Sequence, residues 1–311
     1  MNPLSSSAPE FPAGSQGITS EGVSATRPMY WSLRREVWEN RSLYLAPLAV
    51  AAVVLFGFFI HTITLSKRMR ALSALDPGKQ RAAVAMPYSV AAGLIMAAAF
   101  IVGVFYCLDA LHGERRDRSI LFWKSLPVSD RTTVLSKAII PLAVLPLFSF
   151  AIILITQVMI LMMSTAALLG NGPGLATLWT YVKFFQSTLA LIYGFVAIAL
   201  WHAPLYGWLL LVSGWARRAT LLWAVLPPLA ICAFEAIAFR TSYFAKLLGY
   251  RMIGFYELAF VPHAKGSVAM DPLTALTPGN YLSTPGLWIG LALAALFLAA
   301  AVRLRRNREP I

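Results

Sequence analysis

The sequence predicts an all-α polytopic membrane protein with six transmembrane helices. Two observations carry this. Of 311 residues, 59% are apolar and 13% are charged, whereas a soluble domain carries about a quarter charged residues. The apolar residues also collect in runs of about 20, the length that crosses a bilayer as a helix. The runs span Tyr44 to Leu65, Pro87 to Leu111, Ala138 to Met163, Phe184 to Val212, Thr220 to Phe239 and Gly286 to Val302. The fourth run contains Pro204. Proline has no N–H, which leaves the Leu200 carbonyl free and predicts a kink.

The first 28 residues are rich in Ser, Gly, Pro and Ala and lack both a basic start and an apolar core. They are expected to form a disordered cytosolic tail ahead of a single transmembrane domain over 29–311. Between the tail and the first run, Trp31, Trp38 and Leu45 recur every seven residues, with Arg34, Arg35, Glu36 and Glu39 among them. Such spacing suits an amino-terminal helix in the headgroup region, aromatic rings toward lipid. Residues 240–285 hold aromatic residues and two Pro-Gly pairs. Too polar for a full span, this segment leaves two readings open, short interfacial helices or a re-entrant hairpin.

The net charge of +13 is clustered beside the runs, a pattern of topology signals and lipid contacts rather than of a nucleic-acid interface. With both termini cytosolic, sixteen of the 26 Lys and Arg fall inside, the orientation the positive-inside rule favours. One loop runs against it: Lys67, Arg68, Arg70, Lys79 and Arg81 then lie outside.

Enzyme chemistry is not indicated. The chain has no phosphate-binding loop, no His-Glu-x-x-His and no Gly-x-Ser-x-Gly, and its four histidines lack metal-ligand spacing. Cys107 and Cys232 both fall inside apolar runs, where cysteine acts as a small hydrophobe. Ionisable residues in spans are costly and are functional candidates by default. Three qualify as candidate pathway residues. Asp109 has a plainer role as a partner of Arg115 or Arg116, Glu235 as an interfacial residue, and His202 as a donor to the carbonyl that Pro204 frees.

The connection Arg115 to Lys137 is strongly charged, yet it carries Ile120, Leu121, Phe122, Trp123 and Leu126. Bulky apolar groups flanked by Arg118 and Lys124 suit an interface, either the membrane surface or a protein docked beneath it. Pro127 breaks the helix there, and Ser129 or Asp130 can cap the next one.

Ser-Ile-Leu-Phe-Trp-Lys-Ser-Leu-Pro-Val-Ser-Asp, followed by Leu-Ser-Lys opening a span, resembles the coupling loop of the permeases of bacterial type-2 ABC exporters. The likeness extends over most of Tyr30 to Arg308, including Pro204 to Arg218 and Leu226-Pro-Pro228. It implies a cytosolic coupling helix between spans two and three, with Ser119, Ile120, Leu121, Phe122, Trp123, Leu126, Pro127 and Asp130 contacting the ATPase. Trp31, Arg34, Arg35 and Trp38 would mark the interfacial helix. The resemblance further implies two ATPase subunits that bind ATP and magnesium, a second permease copy or a sister permease, and a bacterial inner-membrane location. A membrane scaffold or sensor and an ion-coupled carrier are the alternatives; the carrier should show symmetric halves and more mid-membrane charge.

Overall fold

The computed structural model of the chain describes residues 26–72, 74–119, 128–170, 172–260 and 272–307. Among these residues the protein is all helical, and six helices are long and apolar enough to cross a membrane. The chain begins with α1 (Thr26–Glu39), α2 (Ser42–Leu72), α3 (Pro77–Ala110) and the short α4 (His112–Arg116). After the central loop come α5 (Asp130–Ile139), a π-helical turn (Ile140–Val144) and α6 (Leu145–Leu168). Then follow α7 (Gly172–Tyr181), α8 (Phe184–Trp215), α9 (Thr220–Phe239), α10 (Tyr243–Ala259), α11 (Pro278–Ser283) and α12 (Pro285–Asn307). All six expected runs lie within spans, and most of the helices overrun them. The 31 residues of α2 extend for about 46 Å, well past the hydrocarbon.

Local sequence explains the interruptions. Pro141 lies in the π-helical turn itself and Pro146 in the first turn of α6, and each removes a backbone donor where the wider turn interrupts the α-helical ladder. Ser129 caps α5 by accepting from the Thr132 N–H at 3.1 Å, as one of the two expected caps. Pro204 is accommodated inside α8, which continues from Phe184 to Trp215. Between spans, Ala219 (φ 50°) ends the tight turn from α8 to α9.

Lipid is as apolar as leucine, so packing and polar contacts, rather than the hydrophobic effect, hold such helices together. Here α8 is the central element: Trp201, Leu210, Val212 and Ser213 are buried almost completely. Its closest partner is α12. Gly207 lets the two backbones approach, and a Cβ there would lie 3.3 Å from the Ala294 carbonyl oxygen. The core at the end of the bundle near the central loop combines Leu43, Tyr106, Cys107, Leu145, Tyr206 and Leu210. Both cysteines are free thiols, Cys107 fully buried and Cys232 partly so. By contrast, α9 buries Ala224 alone among its residues and leaves Leu222, Leu229, Phe234 and Ile237 exposed.

The segment after α9 takes a definite form. Tyr250 meets Trp201, Phe255 meets His202 and Phe260 meets Tyr193. Thus α10 packs through its aromatic side chains against the middle of α8.

Candidate functional site

Where the central loop leaves and rejoins the bundle, six charged side chains form one buried cluster. Glu36 comes from α1, Glu114 from α4, Asp130 and Lys137 from α5 and Arg305 from α12; Arg35 reaches in beside Glu36. Lys137 Nζ lies 2.8 Å from Glu36 Oε1 and 3.2 Å from Glu114 Oε1. Arg305 donates through Nη1 to Glu114 Oε2 and through Nε to Asp130 Oδ1 at 3.1 Å. Arg35 Nη2 is 2.9 Å from Glu36 and 3.3 Å from Glu114. The Tyr106 hydroxyl completes the set, donating to Glu36 Oε2 at 2.8 Å.

Three cations thus face three carboxylates, with Glu36 2% and Lys137 3% exposed. Burying a charge costs several kcal/mol unless close opposite charges and hydrogen bonds offset it. This cluster meets that condition for Glu36 and Glu114, each of which receives from more than one donor. It joins α1, α4, α5 and α12.

A second set of bonds ties the same region to α8. The Ser213 hydroxyl accepts from the N–H of Leu111 at 3.0 Å and of His112 at 2.9 Å, satisfying donors freed where α3 gives way to α4. Arg115 Nη1 donates to the Gly214 and Ala216 carbonyls at 2.9 and 3.2 Å. A cation at the carboxyl end of α8 also complements the helix dipole. Arg115 and Lys137, expected among the charges of a solvated loop, are therefore buried structural groups.

The helix α1 has two faces. Trp31 and Trp38 are exposed, and the Arg34 guanidinium lies over both rings at 5.3 and 5.0 Å. Arg35 and Glu36 point the other way, into the cluster. Leu45 belongs to α2, since α1 ends before Asn40.

Of the residues assigned to ATPase contact, Ile120, Leu121, Phe122, Trp123, Leu126 and Pro127 lie outside the described residues. Ser119 donates to the Glu114 carbonyl at 3.3 Å, and Asp130 is engaged by Arg305. These two support the loop from its ends.

The three candidate pathway residues are not brought together. Asp109 is exposed and pairs with Arg116 at 3.8 Å, the plainer role expected of it. Glu235 accepts from Thr241 Oγ1 at 2.7 Å and from the N–H groups of Tyr243 and Phe244 at 2.6 and 2.8 Å. It caps α10 from the preceding helix, an anion placed where free N–H groups and the dipole favour one. His202 is buried, and its Nδ1 lies 2.9 Å from the Ile198 carbonyl. The acceptor is the ordinary helical carbonyl four residues back, not the Leu200 carbonyl that Pro204 frees.

Around His202 the structure assembles a group that spacing alone did not reveal. Arg251 of α10 stacks on Trp201 at 4.5 Å and donates to the Gly286 carbonyl at 3.1 Å. Gly290 makes room for it: a Cβ there would lie 1.2 Å from Arg251 Nη2. Gly290→Ala is expected to expel the guanidinium and cost about 1–3 kcal/mol through the lost stacking and hydrogen bond. Thermal unfolding checks this against Gly93→Ala, where the added Cβ meets nothing within 4 Å; equal midpoints would contradict it.

No known protein family, curated protein or solved structure matches this chain.

Proposed function

We propose that this chain is the transmembrane permease subunit of an ATP-binding-cassette exporter, driven by a separate ATPase docked at the cytosolic loop between α4 and α5. The observation that carries the reading is the buried ion cluster. The helices on either side of the loop, α4 and α5, are bonded through Glu114, Asp130 and Lys137 to α1 and α12. Force applied to the loop therefore reaches two further helices through buried charge contacts rather than being lost in solvent. The apolar stretch Leu121-Phe122-Trp123 supplies the anchor such a partner needs. Hydrolysis by the partner shifts the permease between states only so far as its contacts differ between them.

In this reading two permease chains, or one with a sister permease, assemble with two ATPase subunits that carry the ATP and magnesium. The apolar exposed surface of α9 is available to a second chain or to lipid. Affinity purification of the tagged chain from its native bacterial membrane is expected to recover an ATPase with a phosphate-binding loop, at one ATPase per permease. An ATPase-active particle with a single permease chain would contradict the assembly. Recovery of the intact chain without any ATPase would favour the scaffold or sensor reading.

The orientation, with both termini and the loop cytosolic in the inner membrane, has its own test. A cysteine at Ser125, in a background lacking Cys107 and Cys232, is expected to resist a membrane-impermeant thiol reagent in intact cells. One at Ala74 should react. The reverse pattern would overturn the topology.

A further inference from the structure

We propose that the cavity between α2, α3, α6 and α7, at the end of the bundle remote from the ion cluster, binds an anionic amphiphile through a carboxylate or phosphate head and an acyl chain. The cavity measures about 420 Å³, within the range of small-molecule sites. Its wall is mainly apolar, with Phe58, Leu65, Val84 and Leu168 among its residues, and Arg68 and His61 at its polar part.

Three observations choose the ligand's charge. Arg68 is exposed and has no ion-pair partner among the described residues. His61 Nδ1 is buried without a hydrogen-bond partner there. The surrounding segment is net positive, with Lys67, Arg68, Arg70, Lys79 and Arg81 and a single acidic residue, Asp76. On the far wall α7 contributes no ionisable side chain except Tyr181, whose ring lies beneath Arg81 at 5.9 Å. A positive rim above an apolar cavity complements an anionic head on an apolar tail.

This gives a use to the one loop that runs against the positive-inside rule. Five cations on the disfavoured side of the membrane are a topological cost, and ligand capture is a function that offsets it. An anionic head would meet Arg68 by a charge-assisted bond and the His61 ring nitrogen by a hydrogen bond. Its chain would lie against Phe58 and Leu65. Within the exporter reading, on which this step rests, the cargo class is anionic amphiphiles. The binding itself needs neither ATPase nor nucleotide.

Equilibrium binding of radiolabelled palmitate to the purified chain in phosphatidylcholine nanodiscs, without ATPase, tests the site separately from the exporter reading. Saturable binding is expected. Arg68→Gln, an exposed change, should weaken it about tenfold or more, equivalent to about 1.4 kcal/mol, and Ala83→Phe should abolish it by filling the cavity. Hexadecyltrimethylammonium and inorganic phosphate alone should not displace palmitate. Displacement by phosphatidylglycerol in the disc would identify a bilayer lipid as the natural source; its failure to displace would identify a free acyl acid. No saturable binding, equal displacement by the cationic chain, or unchanged affinity in Arg68→Gln would overturn the proposal. Helical circular dichroism and a monodisperse elution profile establish that each variant is folded.

Discussion

Replacing Glu114 with alanine is expected to destabilise the protein by about 3–5 kcal/mol, the usual cost of leaving buried charges without their partner. Glu114 faces three cations at once, Lys137, Arg305 and Arg35, and two of these are themselves buried. Their desolvation remains after the carboxylate has gone, so the loss exceeds that of any single hydrogen bond. Thermal unfolding in nanodiscs measures it. Asp109→Ala is the control, since its partner Arg116 is exposed and such pairs contribute about 0–1 kcal/mol. Adding Lys137→Met and Arg305→Met to Glu114→Ala should recover part of the loss by removing the stranded cations. Equal midpoints for Glu114→Ala and Asp109→Ala would show that the cluster does not hold these helices together.

The second large effect concerns coupling rather than stability. In the proposed exporter, changing Phe122 and Trp123 together to alanine is expected to abolish stimulation of the partner ATPase while leaving insertion and folding unchanged. Apolar anchors in desolvated pockets dominate protein interfaces, and truncating one costs about 2 kcal/mol or more. Leu121→Ala should give a smaller loss. If these side chains only rest on lipid headgroups, ATPase recovery and transport will stay near wild type in the double variant, because six spans already hold the chain in the bilayer. Measuring ATPase recovery and hydrolysis on the same preparation separates the two outcomes.

The spans were legible because a bilayer imposes both length and apolarity on a helix, and runs such as Tyr44 to Leu65 meet both requirements. The cap at Ser129 was legible for a local reason: a hydroxyl three residues before a free N–H is visible in sequence. The ion cluster was not. Its members come from positions 35, 36, 114, 130, 137 and 305, and no local rule joins residues so far apart. Partial signals did exist. Trp31, Arg34 and Trp38 follow helical spacing on one face of α1, which leaves Glu36 on another. Asp130, Val134 and Lys137 likewise share one side of α5. A charged face on a helix, however, normally predicts solvent, and only the packing of α1, α5 and α12 reveals that it is buried.

Glu235 shows the opposite limit. An acidic residue near the end of an apolar run attracts a functional reading. Yet its carboxylate is occupied by Thr241, Tyr243 and Phe244. The signal was the start of a second helix eight residues later, hidden by the mixed composition of the segment beyond.

Cross-linking from the loop tests the central claim most directly. A single cysteine at Ser125, in a chain lacking Cys107 and Cys232, would be treated with a short thiol-to-amine reagent in membranes containing the native partners. A covalent adduct with the ATPase subunit, changed in yield by ATP and not formed from a cysteine at Ala74, is the result predicted. An adduct formed equally well from Ala74, or no ATPase adduct from Ser125 in membranes where transport is active, would contradict the account.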